Sequence, residues 1–225
     1  MNPILMALAL SVQAQTPAGQ ETVRNDFPPR REPSPAHGVF HEEERRASGV
    51  PARRAMQAFG SCIADRSPGL AVEALTIDFT TPTYSNRLRQ LARNNPACFR
   101  QSGVMRSGGL GLAGAMAERL IELDPTPLNA RLARAAQGPT ATAYSATDRV
   151  AMCVVRSVPD QVAGLFASEV GSADEAAAAR LLEPAVVACN QAGTRFTVTT
   201  AGARSMLATA AFRTLRGATA TARRD

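Results

Sequence analysis

The chain has 225 residues, of which 45 % are apolar and 4 % aromatic, as expected for one sizeable globular domain or two small ones. Its 25 lysine-plus-arginine residues are all arginine, and the formal net charge is +6. Because the chain has no lysine, side-chain Schiff bases, cofactors held through a lysine imine, P-loop lysines and Ser-Lys dyads are excluded.

The first predicted element is an export signal over residues 1–14. Residues 4–12 form an apolar run that is too short for the roughly 18 to 20 residues of a membrane span. Val12 and Ala14 supply the small side chains that a signal peptidase recognises before its cleavage site, so we expect cleavage after Ala14. The alternative is an apolar N-terminus buried in the fold, which the polar stretch that follows disfavours. We predict a periplasmic or secreted protein without a transmembrane span.

Residues 15–50 are predicted to be a disordered linker, because they are rich in Pro, Glu, Arg and Gly and show no helical or strand period. Both histidines, His37 and His41, lie in this segment. On a helix their spacing would present two imidazoles as metal ligands, but a short, exposed, weakly apolar segment favours solvated linker residues instead. The region from Pro51 onward has no histidine, which removes the base from Ser-His-Asp and Cys-His mechanisms.

The four cysteines recur with one spacing: 36 residues separate Cys62 from Cys98, and 36 separate Cys153 from Cys189. An even number of cysteines without a C-x-x-C favours disulfides over free thiols or zinc in an oxidising compartment. A shift of 91 residues also aligns two apolar stripes that have the same helical spacing. The first stripe is Met116, Ala117, Leu120 and Ile121, and the second is Leu207, Ala208, Ala211 and Phe212. We infer a duplicated module. Since such a module must have been stable alone, we predict Cys62–Cys98 and Cys153–Cys189, one of three pairings that four cysteines allow.

The predicted fold is mainly α, with two tandem disulfide-stapled helical repeats, each carrying one short β segment before its last helix. The repeats cover residues 51–125 and 146–215, with a linker over 126–145 and a flexible tail over 216–225. The first helix of each repeat spans about residues 51–65 or 148–157, and the second begins at Pro68 or Pro159, because proline suits the first helical position. Ser172 and Glu175 form a capping-box pattern, which predicts that a third helix of the second repeat begins there and runs toward Cys189. The equivalent helix of the first repeat is predicted to start near residues 83–85. The β segment is clearest at residues 195–200, and pairing of two such strands would tie the halves together.

Residues 107–114, SGGLGLAG, place Gly109, Gly111 and Gly114 in the G-x-G-x-x-G spacing of a dinucleotide-binding loop. Such a loop needs a buried strand before it and an acidic residue about 20 positions later. The preceding SGVMRS is a poor buried strand, and the acids that follow come too early. At the equivalent positions the second half has Thr200, Gly202 and Ser205. We therefore predict a helix start that packs closely on a neighbour, with no nucleotide or other cofactor.

In each half a cysteine near the end of one helix is followed by a proline, a second cysteine after a long helix, a short strand and a Gly/Ala-rich amphipathic helix. This order, over residues 51–213, resembles uncharacterised secreted proteins of Gram-negative bacteria that carry one or two such modules. The resemblance implies the helical fold and the exported location. It implies no activity and no catalytic residues.

Two classes of function remain. The first is a non-catalytic envelope or secreted module that binds a partner or serves a structural role. The second is a hydrolase-type enzyme that uses carboxylates without histidine or lysine, for which Glu118 and Glu122 are the candidate pair. Carboxylates four residues apart are common on solvated helix faces, so we favour the first class and expect no enzyme.

The basic excess lies in the first half, where residues 51–125 hold nine arginines against six acids, whereas residues 146–215 hold six of each. Arg89 and Arg93 share one helix face with Arg87 beside them, a like-charge cluster that anions or nearby acids must offset. We predict that these arginines bind an anionic partner, such as an envelope polysaccharide, a phospholipid headgroup or an acidic protein. A solvated basic face is the alternative. Nucleic acid is not expected, because the chain is exported and has only 4 % aromatic residues for base stacking.

Overall fold

The computed structural model describes residues 40–41, 49–99, 109–190, 193 and 198–221. The chain divides into two units, Met1–Pro35 and Ala36–Asp225, and every described residue belongs to the second. The predicted signal over residues 1–14 and most of the predicted linker lie outside the described residues. The described part is mainly α-helical, as the sequence predicts.

The first half forms four helices and a short 3-10 turn within its described residues. They are α1 (Gly49–Arg66), α2 (Pro68–Thr76), α3 (Pro82–Asn94), the turn Pro96–Cys98 and α4 (Gly109–Glu122). Pro68 opens α2 as predicted, since the amide that proline lacks has no partner inside a helix at this position. Thr81 caps α3, because its side chain accepts a hydrogen bond from the Tyr84 amide.

The second half continues with α5 (Leu128–Ala136), α6 (Ala146–Ser157), α7 (Pro159–Ala167), α8 (Ala173–Leu181), α9 (Glu183–Cys189) and α10 (Thr200–Thr221). Three features differ from the prediction. Residues 126–145 include α5, whose Leu132 is fully buried, and residues 216–221 of the predicted tail belong to α10. The predicted third helix is broken at Leu182, because Pro184 in the first turn of α9 cannot continue the hydrogen-bond ladder of α8.

Two short strands, β1 (Phe40–His41) and β2 (Val198–Thr199), pair in parallel, with Phe40 opposite Val198 and His41 opposite Thr199. The strand β2 lies where the second repeat was predicted to have its β segment. Its partner comes from the segment predicted to be a linker. The region that would hold the equivalent strand of the first half lies outside the described residues.

Both predicted disulfides are present. Cys62 is bonded to Cys98 with the Cα atoms 5.6 Å apart, and Cys153 is bonded to Cys189 with the Cα atoms 5.7 Å apart. Each bond closes a chain segment within one half, which confirms the predicted pairing. The first ties α1 to the turn after α3, and the second ties α6 to the end of α9.

The helices α4 and α10 cross at the centre of the fold. A Cβ atom added at Gly114 would lie 2.6 Å from Ser205 Cα, so the two backbones touch where glycine leaves room. Ser205 follows Gly114 by 91 residues, and α10 likewise starts 91 residues after α4. Equivalent positions meet in this way at a two-fold axis between repeats. The duplication itself stays a prediction.

Among the described residues, no single helix combines the length and apolar character needed to cross a membrane. The pair α6 and α7 passes the same test only when both are counted together, across a bend of 100°. The core explains their apolar character, since Val154, Val155, Val162 and Leu165 are all fully buried inside the fold.

Candidate functional site

The predicted arginine cluster lies on α3, whose buried residues Tyr84, Leu88 and Leu91 face the core. Arg87 is ion-paired with Glu73 of α2, with Nη2 2.5 Å from the carboxylate oxygen. The charge of Arg87 is therefore offset within the protein. The cluster of three predicted from the sequence is reduced to two residues that remain available for an anion.

Arg89 and Arg93 are exposed on α3 and form no ion pair within the described part of the chain. The guanidinium of Arg89 is oriented by its own helix, because it donates to the Asn86 side chain at 2.5 Å and to the Ser85 carbonyl at 3.3 Å. Arg93 lies in the last turn of α3. A cation there is favourable, since the C-terminal end of a helix carries partial negative charge.

A third arginine belongs with these two and was missed by the sequence analysis. Arg66, the last residue of α1, is exposed and forms no ion pair among the described residues. The hydroxyl of the next residue, Ser67, donates a hydrogen bond of 3.3 Å to the side-chain oxygen of Asn95, the residue that follows α3. The ends of α1 and α3 are thereby brought together, so Arg66 and Arg93 lie at the same end of the first half.

We call Arg66, Arg89 and Arg93 the basic face. Among the described residues of the first half, Arg119 is also neutralised, since its guanidinium contacts Asp65 and Glu122. No pattern in the sequence assigns Arg66 to this face, because it lies more than 20 residues from Arg89 and on another helix. Only the contact between the ends of α1 and α3 places Arg66 at the same end of the first half as Arg93.

Glu118 and Glu122, the candidate carboxylate pair of the enzyme alternative, face different partners. Glu118 is buried, and its two carboxylate oxygens accept hydrogen bonds from Arg204 of α10, one of them at 2.9 Å from Nε. Glu122 is exposed and contacts Arg119 instead, 3.3 Å away. The two carboxylates therefore face different partners and do not converge on a common point where a substrate would bind.

Arg204 lies at the centre of a buried cluster that also contains Glu118, Glu175 and Arg53, which we call the core ion network. Arg53 donates from Nη2 to both oxygens of Glu175, at 2.7 and 2.6 Å. Arg204 donates to one of the same oxygens at 3.2 Å. Since Arg53 and Glu118 belong to the first half and Glu175 and Arg204 to the second, the network joins the halves.

Arg204 also closes the C-terminal end of α7. It donates to the carbonyls of Leu165 and Phe166 at 3.1 Å each, and to the Ser168 carbonyl at 3.0 Å. The last carbonyls of a helix have no partner within it. One guanidinium therefore satisfies both a helix end and two buried carboxylates, which explains why so large a cation is buried.

Glu175 is the acidic residue of the predicted capping box, and it only partly follows that pattern. The Ser172 hydroxyl accepts from the Glu175 amide at 3.0 Å, as a capping serine does. The Glu175 carboxylate does not return to Ser172. It accepts from the Gly171 amide at 2.8 Å and from the arginines of the core ion network. Gly171 has φ of +78°, a conformation that favours glycine and aims its amide at the carboxylate.

The pKa values of Glu118 and Arg204 are both raised, but for different reasons. Burial raises the pKa of Glu118 above its ordinary value, and the hydrogen bonds and charge of Arg204 only partly offset this rise. Burial alone would lower the pKa of Arg204, but Glu118 and Glu175 together raise it. The physical reason is that Arg204 faces two carboxylates, whereas Glu118 faces one guanidinium and lies near two further acids.

A second buried ion pair holds the loop before α6. Arg213 of α10 pairs with Asp148, and its guanidinium carbon lies 5.6 Å from the centre of the Phe79 ring and 5.0 Å from that of Tyr144. Burial raises the pKa of the nearby Tyr84 to about 12, with Arg213 opposing the shift. Arg213, Asp148 and Tyr84 are buried, and Phe79 and Tyr144 are half-buried beside them.

Two further sequence motifs, the glycine run and the histidine pair, lie partly within the described residues. Gly114 packs against α10, and a Cβ at Gly109 would lie 3.0 Å from Leu88, which confirms the predicted close packing of this helix start. His41 lies in β1 and so does not share a helix face with a neighbour, whereas His37 lies outside the described residues. A small cavity between α6, α9 and α10 has aliphatic walls and about 20 Å³ of space, room for one water molecule.

Comparison with known proteins adds no relative: no protein-family model, no curated protein and no solved structure matches this chain.

Proposed function

We propose that the protein is an exported, non-catalytic module of the cell envelope that binds an anionic partner through its basic face. The observation that carries this proposal is the charge balance of the first half, in which Arg66, Arg89 and Arg93 are exposed without a carboxylate partner among the described residues. Glu73 neutralises Arg87, so the face consists of these three cations.

The disulfides support the exported location, because such bonds persist in oxidising compartments such as the periplasm. The surroundings of Glu118 support a non-catalytic role. A general acid or base must reach the proton that it transfers, whereas both oxygens of Glu118 are bound to Arg204 inside the core. A hydrolase of the carboxylate type would need an accessible acid pair.

The proposal is tested with the full oxidised chain and a soluble polyanion, inorganic polyphosphate. We expect saturable binding at low ionic strength that weakens steeply toward physiological salt, because the Debye length falls to about 8 Å there. The variant Arg66→Ser/Arg89→Ser/Arg93→Ser is expected to lose most of this binding.

The matched control is Arg134→Ser/Arg149→Ser/Arg180→Ser, which removes three exposed arginines of the second half that also form no ion pair among the described residues. Both triple variants carry the same net charge. Equal loss of binding in the two variants would show that only the overall charge matters, and the proposed basic face would be wrong.

A further inference from the structure

The outward side of α8 and α9 carries exposed apolar side chains. Leu181 and Val187 are each 65 % exposed, more than any other large apolar side chain of the described residues. Pro184 lies between them in the chain and is exposed as well. Residues three or four apart are neighbours on a helix surface, so these three side chains adjoin one another, and the exposed Ala177 and Ala188 extend the same side. We call these five residues the apolar face.

The apolar face is continuous although Pro184 interrupts the hydrogen-bond ladder between α8 and α9. Leu182, the one residue between the two helices, has helical φ and ψ of −84° and −14°, and its carbonyl accepts from the Val186 amide at 3.0 Å. The buried positions keep a helical spacing across the break: Glu175, Ala179, Leu182 and Val186. The buried side therefore runs from α8 into α9, and so does the exposed side opposite it.

The first half shows that the fold does not require apolar residues at this surface. The helix α3 begins 91 residues before α8, the same shift that relates α4 to α10. Under this shift Leu181 corresponds to Gln90, and Pro184 corresponds to Arg93; Gln90 and Arg93 are both exposed. Exposed apolar patches with a polar border mark interaction sites. The apolar residues of the second half therefore point to a partner that covers them.

The charges at the border of the apolar face indicate which partner fits. Arg180 and Glu183 lie three residues apart on one edge, next to Val187, and Asp174 lies near the other edge. None of these three charged residues forms an ion pair within the described part of the chain. A bilayer surface would favour a basic border, whereas this border has two acids and one arginine.

A second copy of the same face supplies the missing charge partners. A two-fold axis that crosses between two helices makes them antiparallel and puts the same edge of each opposite the other. With the axis at the height midway between Leu181 and Pro184, each Leu181 opposes Pro184 of the other copy, and the small Ala177 and Ala188 oppose each other. Arg180 then lies about 3 Å along the helix axis from Glu183 of the other copy, within reach of its side chain.

We propose that the protein forms a two-fold symmetric dimer in which the apolar faces of two copies pack antiparallel. This contact is separate from the basic face and goes beyond the proposed function. The helices α8 and α9 together extend about 25 Å, at roughly 1.5 Å per residue. Two such faces bury on the order of 1,000 Å² or less, which is small for a specific interface, so we expect a dissociation constant of about 10 to 100 µM.

The experiment is sedimentation equilibrium of the full oxidised chain at about 1 to 500 µM, a range that brackets the expected dissociation constant. We expect a reversible monomer–dimer equilibrium. Leu181→Arg should weaken it on the order of a hundred-fold, because the symmetry buries the added cation twice. The matched control is Leu123→Arg, which adds the same charge at a leucine of the first half that is 49 % exposed, and it should dimerise as the wild type does.

A charge swap tests the antiparallel pairing itself. Arg180→Glu and Glu183→Arg each place like charges opposite one another across the axis, so each should weaken the dimer about five-fold. The double variant Arg180→Glu/Glu183→Arg restores opposite charges and should recover most of the wild-type affinity. Circular dichroism and urea unfolding first verify that every variant keeps the fold.

A wild-type chain that stays monomeric at every concentration would overturn the proposal. Equal dimerisation of Leu181→Arg and Leu123→Arg would also overturn it, because the dimer would then use another surface. If the double variant is as weak as the single charge variants, or if those dimerise as the wild type does, the antiparallel pairing is wrong. The proposed function is measured separately, with polyphosphate, and stands or fails independently of these results.

Discussion

Two adjacent arginines of α1 allow a direct test of the core ion network. The side chain of Arg53 is 14 % exposed and binds Glu175, which is 1 % exposed, whereas Arg54 binds Glu169 on the surface, with exposures of 51 % and 70 %. Substitution of either arginine by methionine removes one charge and keeps most of the aliphatic stem. The two variants break different ion pairs, and Arg54→Met also removes a hydrogen bond of 3.0 Å from Arg54 Nε to the Val170 carbonyl.

Breaking a buried ion pair from one side costs about 3 to 5 kcal/mol, because the remaining charge stays buried without its partner. In Arg53→Met, Glu175 keeps Arg204 and the Gly171 amide, so the lower end applies, about 3 kcal/mol of unfolding free energy. For a domain of this size that is a fall of roughly 6 to 12 °C in Tm. Arg54→Met breaks an exposed pair, which is worth about 0 to 1 kcal/mol.

The measurement is urea unfolding of the oxidised protein, followed by circular dichroism at 222 nm with and without added salt. Added salt should reduce the destabilisation caused by Arg54→Met, because it screens the exposed pair. The destabilisation caused by Arg53→Met should not change with salt. A third variant, Arg53→Lys, keeps the charge but loses the two-oxygen geometry, and it should fall between wild type and Arg53→Met. Equal destabilisation by Arg53→Met and Arg54→Met would refute the reasoning.

Three further predictions follow from the packing. Because the pKa of Tyr84 is raised to about 12, the folded state keeps a phenol proton that the unfolded chain loses above pH 10, so stability falls as pH rises. Tyr84 accounts for a loss of about 1.3 kcal/mol of unfolding free energy between pH 9 and 11. Urea unfolding of Tyr84→Phe should therefore show a smaller loss over that range than the wild type does. Gly114→Ala should destabilise by about 1 to 3 kcal/mol, since its methyl would meet Ser205, whereas Gly164→Ala, on an open stretch of α7, should stabilise by about 0.5 to 1 kcal/mol. Thermal unfolding should show stability changes of opposite sign for these two variants. A gain in stability for both would contradict the close contact between α4 and α10 at Gly114. Cys153→Ser/Cys189→Ser should cost up to about 4 kcal/mol for a loop of 36 residues, and no change in unfolding free energy would contradict a stabilising role.

Local signals predict much of the secondary structure. Pro68 and Pro159 open α2 and α7 because the missing amide costs nothing at a helix start. The Ser172 cap acts through a hydrogen bond three residues away, so it is readable in the sequence. The cysteine spacing predicts both disulfides, because a module stable on its own must close its own loops. The break at Pro184 was readable too, since a proline cannot continue the hydrogen-bond ladder of a helix.

The basic face and the core ion network depend on contacts between distant parts of the chain. Arg53 and Glu175 are 122 residues apart, and Arg204 and Glu118 are 86 apart. An apolar period shows which side of a helix is buried, but it does not show which helix will cover it. The sequence by itself therefore determined most of the helices, but not α5 or the break between α8 and α9, and it determined the cysteine pairs and the basic excess of the first half. The tertiary structure decided that Arg87 is neutralised by Glu73 and that Arg66 lies at the same end of the first half as Arg93, because both results depend on contacts between different helices.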